Sequence, residues 1–81
     1  MTFTANINIM PRPEILDPQG KATLHGLKNL GFEGMDELRV GRRVELQIEA
    51  ADKAAAEVAV KEACRKLLAN TVTEVFSFEI I

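Results

Sequence analysis

A chain of 81 residues makes one domain at most, and a domain of that size buries only about 60% of the surface its unfolded chain exposes. The composition is that of an ordinary globular protein, 47% hydrophobic and 27% charged, with no low-complexity tract. Ten basic side chains against twelve acidic ones leave a formal charge of −2, which weighs against nucleic acid or an anionic membrane as the main partner, since both need clustered positive charge.

Phe3, Ala5, Ile7 and Ile9 alternate with Thr2, Thr4, Asn6 and Asn8, the period of a strand with one buried face. Pro11 and Pro13 flank Arg12 and end that strand, because proline donates nothing to a ladder. Asp17-Pro18 then predicts a helix start, with the carboxylate capping free N–H groups and proline at the first helical position. Leu24, Leu27 and Leu30 form its apolar stripe, with Ala22 nearby, and Gly31 suits the left-handed residue that closes a helix. Gly20 and Gly26 are costly inside a helix, and close approach of another backbone is one reason to keep them.

A second strand is expected from about Glu37 to Glu49. Leu38, Val40, Val44, Leu46 and Ile48 hold one parity, while Glu37, Arg39, Arg43, Glu45, Gln47 and Glu49 hold the other. Unbroken, such a strand spans about 36–43 Å at ~3.3 Å per residue, against a diameter of roughly 30 Å for a compact domain of this length. It should overhang its own domain and pair with another subunit. Asp52 caps the next helix, which runs to about Ala69 with Asn70 as terminator. Its inward face is Ala56, Ala59, Val60, Ala63, Cys64 and Leu67, thin enough to sit close on a sheet. The last strand covers Thr71 to Ile80, with Val72, Phe76, Phe78 and Ile80 inward and Glu74 breaking the pattern. The order β-α-β-α-β predicts an α+β two-layer sandwich over residues 1–81, with two helices on one face of a mainly antiparallel sheet and a long, bent second strand.

Reactive side chains are scarce. His25, the only histidine, falls in the first helix without a serine or cysteine arranged as its nucleophile. Cys64, the only cysteine, lies on the apolar face of the second helix, where a small core side chain is its simplest role. One histidine and one cysteine on different helices make a poor metal set, and no phosphate-cradling glycine pattern occurs. No catalytic, cofactor-binding or metal-ligating residue is assigned. With no disulfide possible, no apolar stretch of about 20 residues and no basic N-terminal leader, the chain is read as cytoplasmic and unprocessed.

Two segments ask for more than structure. In Arg39-Val40-Gly41-Arg42-Arg43, Arg39 and Arg43 share a face while Arg42 lands on the apolar side. This is either a solvated bend that discourages edge pairing or a contact for an acidic surface or a phosphate. In Leu16-Asp17-Pro18-Gln19-Gly20-Lys21-Ala22, capping explains Asp17 and Pro18 but not Gln19 and Gly20. Asp17, Gln19, Gly20, Arg39, Gly41, Arg42 and Arg43 are therefore the candidate subunit-interface residues.

The run Ile15-Leu16-Asp17-Pro18-Gln19-Gly20-Lys21-Ala22 resembles the first-helix signature of the PurS family, the small subunits of phosphoribosylformylglycinamidine synthase. The resemblance continues through Leu30-Gly31-Phe32, Leu38-Arg39-Val40-Gly41-Arg42, Glu45-Leu46-Gln47-Ile48-Glu49, Cys64-Arg65-Lys66-Leu67-Leu68-Ala69-Asn70 and Phe76-Ser77-Phe78-Glu79-Ile80. Thr71 stands where the family usually has proline, Arg42 replaces a common lysine, and Pro11 and Pro13 stiffen the first loop. The resemblance implies a homodimer or homotetramer that joins a large synthetase subunit, which holds ATP and magnesium, to a glutaminase subunit. Formylglycinamide ribonucleotide, glutamine and ATP then yield the amidine in purine biosynthesis. No cofactor is implied in this chain.

The competing expectation is an amino-acid-binding regulatory module resembling the ACT domains, which use a glycine-containing turn after the first strand. Met10-Pro11-Arg12-Pro13-Glu14 offers no glycine before Gly20. A free-standing nucleic-acid binder is disfavoured by charge and by only four aromatic side chains.

Overall fold

The computed structural model describes residues 1–81. Strand β1 covers Thr2–Pro11, helix α1 Pro18–Asn29, strand β2 Arg42–Glu49, helix α2 Lys53–Ala63 and strand β3 Glu74–Ile80. A π-helical turn, Cys64–Leu68, continues α2. The strands form one antiparallel sheet in the order β2-β1-β3. This is the expected α+β architecture, with the first strand in the middle.

The alternation in β1 sets the core. Ala5 lies opposite Leu46 and Ile80, Ile7 opposite Val44 and Phe78, and Ile9 opposite Arg42 and Phe76. Ala5, Ile7 and Ile9 are wholly buried beneath Ala56, Val60 and Cys64 of α2, with Ala69 and Ile80 closing the cluster. The small side chains at positions 56, 60 and 64 let α2 lie low on the sheet, where β-branched residues fill the space beneath. The opposite face carries Thr, Asn, Arg, Gln and Glu side chains from β1 and β2 and is left to solvent.

The second strand is shorter than its periodicity suggests. Pairing between β1 and β2 starts at Ile9–Arg42, and residues 37–41 run on without a ladder partner. β1 runs on to Pro11 against β3, but at Gly41 the chain crosses close over the Ile9 carbonyl instead of pairing, and a β-pattern without a ladder partner does not become a strand. An eight-residue strand does not overhang its domain, yet the molecule is elongated. The molecule measures 51 × 24 × 15 Å with a radius of gyration of 16.2 Å, well above the ~12 Å of a compact chain this long.

Helix α1 occupies the projecting end. Asp17 caps it and Pro18 opens it as expected, and Gly31 closes it with a φ of 94°. It makes no packed interface with the sheet or with α2. Of its leucine stripe, Leu24 and Leu27 are half-buried and Leu30 is 77% exposed, so the stripe expected to be buried is covered only in part within the chain.

The end of α2 also departs from expectation. Leu67 was placed on the inward face, but it is 83% exposed. The π-helical turn, closed by Ala69 N–H donating to the Cys64 carbonyl at 3.0 Å, inserts one extra residue into the helical repeat. It brings Leu68 and Ala69 inward and turns Leu67 out. Ala59 is exposed as well. Val72, expected inward on the last strand, precedes β3 and is 79% exposed.

Candidate functional site

The Asp-Pro-Gln-Gly run is a joint between α1 and the segment leading into β2. Asp17 Oδ1 accepts from the Gly20 N–H at 2.9 Å, closing the first turn, and Oδ2 accepts from the Val40 N–H at 2.8 Å. One carboxylate thus satisfies two backbone donors from distant parts of the chain. Those bonds from Gly20 and Val40 hold its pKa below the usual aspartate value, against some desolvation and with help from the nearby Arg39 charge. Gly20 is required by the same joint. A Cβ there would stand 2.5 Å from the Leu38 carbonyl oxygen and 2.5 Å from Asp17 Oδ2. The backbone approach expected at Gly20 is therefore real. Gly26, by contrast, has open space around it, and its expected close approach is not made within the chain.

Gly41 is the second close crossing. A Cβ on it would meet the Ile9 carbonyl oxygen and Met10 Sδ, so only glycine lets the chain pass over the end of β1. Beside the Asp17 joint lies a pocket of about 430 Å³, lined in part by Leu16, Asp17, Lys21, Leu24, Leu38 and Arg39. Arg39 Nη2 is buried without a hydrogen-bond partner. Gln19 is exposed, and only its main-chain oxygen is used, accepting from Thr23 Oγ1 at 2.9 Å.

The three arginines have different fates. Arg42 is committed within the chain, its Nη2 donating to Glu74 Oε1 at 2.7 Å and to the Leu68 carbonyl at 3.2 Å. It thereby ties the end of α2 to both outer strands. Arg43 is exposed on the polar face and only 3.9 Å from Glu45, a weak surface pair. Arg39 sits half-buried beside the pocket.

Two contributors were missed from sequence. Glu74 looked like a break in the β3 pattern, and Arg12 like a spacer between prolines. Arg12 Nη2 donates to the Thr71 carbonyl at 2.6 Å and its Nε to the Val72 carbonyl at 3.2 Å. The signal for Glu74 was available: Arg42 and Glu74 are the opposite charges that both fall on the apolar parity of the sheet.

His25 is exposed on α1. Cys64 is enclosed in the core, where burial pushes its thiol pKa up, unlike the depressed value of a reactive thiolate. No three His, Cys, Asp or Glu side chains gather into a metal-holding group, and no helix is long and apolar enough to cross a membrane.

The fold is shared with known proteins. Residues 4–81 match the family model described as "PurS: Phosphoribosylformylglycinamidine (FGAM) synthase". The chain belongs to the PurS family. It is 42% identical to phosphoribosylformylglycinamidine synthase subunit PurS of Synechocystis, over 98% of this chain and 79% of that one. Against the Bacillus subtilis PurS subunit it is 37% identical, over 96% and 92% of the two chains. A chain of the solved structure of PurLQS from Thermotoga maritima superposes with a TM-score of 0.92 at 30% identity, covering 100% of this chain and 99% of that one. Family membership gives a subunit role in phosphoribosylformylglycinamidine synthase and in purine biosynthesis, and the ACT-like alternative is not favoured.

Proposed function

We propose that this chain is the subunit that joins the synthetase and glutaminase subunits of the synthase, acting as a cytoplasmic homodimer or higher oligomer. ATP and magnesium act on the synthetase, glutamine is hydrolysed on the glutaminase, and this chain keeps the two close enough for ammonia to pass without protonating in bulk water. The observation that carries the reading is the unfinished half of the molecule. Helix α1 and residues 35–41 keep an apolar stripe, a pocket and an unpartnered arginine nitrogen at the end that projects from the core. Buried donors are nearly always satisfied in a finished protein, and a carboxylate on an apposed subunit would satisfy Arg39.

Among the candidate interface residues, Gln19 and Arg43 are exposed, and Arg39 lies half-buried beside the pocket. Asp17, Gly20 and Gly41 hold the shape that presents them, and Arg42 braces the sheet. Replacing both Arg39 and Arg43 by glutamate should leave a folded oligomer that pulls down the synthetase weakly, and an unchanged pull-down refutes their role. The function itself is tested by reconstitution. Synthetase alone should form the amidine from added ammonium salt, while glutamine should support turnover only when both the glutaminase and this chain are present. Glutamine-dependent turnover at full rate without this chain would sink the joining role.

A further inference from the structure

The connection from α2 to β3 is braced far more heavily than an exposed turn requires. Asn70 accepts at its main-chain oxygen from the N–H groups of Thr73 at 3.0 Å and Glu74 at 2.7 Å. Its side-chain Oδ1 accepts from the Val72 N–H at 3.1 Å, and its own N–H donates to Glu74 Oε1 at 2.8 Å. Arg12, just past the end of β1, reaches in to the Thr71 and Val72 carbonyls, and its N–H donates to the Thr73 carbonyl at 2.9 Å. Arg42 reaches in from β2 to the Leu68 carbonyl and to Glu74. Two arginines from distant parts of the chain therefore fix one turn.

What that turn presents is apolar. Leu67 and Val72, 83% and 79% exposed, stand at its two ends. Single exposed aliphatic side chains need no explanation. Here, however, the π-helical turn removes Leu67 from a core face that an uninterrupted helix would have given it, and such turns recur at functional sites. Around the pair the charge runs against that of the whole chain. Of the charged side chains that brace the turn or pair beside it, the cations Arg12, Arg42, Arg65 and Lys66 outnumber the carboxylates Glu62 and Glu74.

We infer that the Leu67–Val72 turn is a preformed docking knob for a different subunit of the synthase, one offering an apolar depression rimmed with carboxylates. Rigid presentation reduces the ordering entropy lost on binding, and a polar rim around an apolar centre is the ordinary anatomy of a protein interface. The charge pattern selects the partner. A two-fold contact between copies would lay this patch on itself and set its surplus cations against one another, whereas an acidic rim complements them. The inference rests on the joining role proposed above and gives it a surface, at the end of the sheet where β1 closes and β2 begins.

The test is binding of the full chain to purified synthetase and, separately, glutaminase, comparing wild type with Leu67→Asp/Val72→Asp. The milder Leu67→Ser/Val72→Thr covers the case in which the aspartates impair folding. Melting temperature and oligomeric mass by light scattering are read on each variant alone. The expected result is at least a tenfold rise in Kd for one of the two partners, with oligomeric mass and melting unchanged. Unaltered affinity for both partners overturns the inference. A fall in oligomeric mass also overturns it, since the occupant is then a second copy of the chain. Wild-type binding to neither partner sinks the joining role itself, which separates that failure from this one.

Discussion

The two ends of this molecule obey different rules of burial. At the sheet end, Ala5, Ile7, Ile9, Val60 and Cys64 are wholly excluded from solvent, and each apolar position finds an apolar neighbour from another element. At the α1 end the same kind of periodic leucine pattern ends half-buried or exposed, and the only buried residue of the helix is Gly20. The sheet end holds a closed core of its own. The α1 end is held in place by polar geometry, the Asp17 carboxylate and two glycine crossings, rather than by a core. Apolar patterning that the chain does not bury itself is patterning for another surface.

The contrast can be broken by substitution. Ile7→Ala should remove about 2–5 kcal/mol of stability, the cost of a cavity in a packed core, measured by urea unfolding. Leu30→Ala on α1 should stay within about 0.5 kcal/mol in the isolated chain, and equal losses at both sites would erase the distinction. Gly20→Ala should cost about 1–3 kcal/mol through overpacking against the Leu38 carbonyl. That loss should appear as detachment of α1, with the amide signals of β1 and α2 unmoved in heteronuclear NMR spectra.

Acid should act on the same joint. The folded pKa of Asp17 lies below its ordinary 3.8. Its contribution is therefore fully present above that ordinary value and is lost as the pH falls through the folded pKa. The Gly20 and Val40 amide shifts should titrate together below the ordinary aspartate range, and Asp17→Asn should abolish that titration. Flat shifts through this range would contradict the bidentate joint. A small gain is expected at the α2–β3 connection. Thr71 takes the second position of the turn closed by Thr73 N–H on the Asn70 carbonyl, a place that favours proline. Thr71→Pro should add about 0.4–1 kcal/mol by restricting the unfolded chain, read as a small rise in melting temperature.

Much of the fold was legible because local and tertiary demands agree in it. The β1 alternation, the Asp17-Pro18 and Asp52 caps and the Gly31 terminator all match the structure, as does the α+β class. The readings that failed were those in which a neighbour decides. Residues 37–41 carry a strand pattern, but strand formation needs a ladder partner and the chain leaves β1 at the Gly41 crossing. Leu67 carries the helical period, but the π-helical turn shifts the phase by one residue, which no spacing rule anticipates. Val72 continues the β3 parity, yet the Asn70 turn comes first. The Asp17 joint was half legible, since its cap was visible and its bond to Val40, 23 residues away, was not. Arg42 and Glu74 each looked anomalous when read alone and explain one another as a pair. Family membership came through the linear motif, while the division between a finished and an unfinished end required the coordinates.

The claim that the α1 end is completed by other chains is tested most directly by amide hydrogen exchange. The α1 amides, residues 18–29, are compared with those of β1 across a dilution series of the isolated chain and again in the assembled synthase. Local stability follows buried contacts, so α1 should exchange far faster than β1 in dilute solution and become protected as oligomer or complex forms. Protection of α1 equal to that of β1 in the most dilute isolated chain, and unchanged on assembly, would contradict the account.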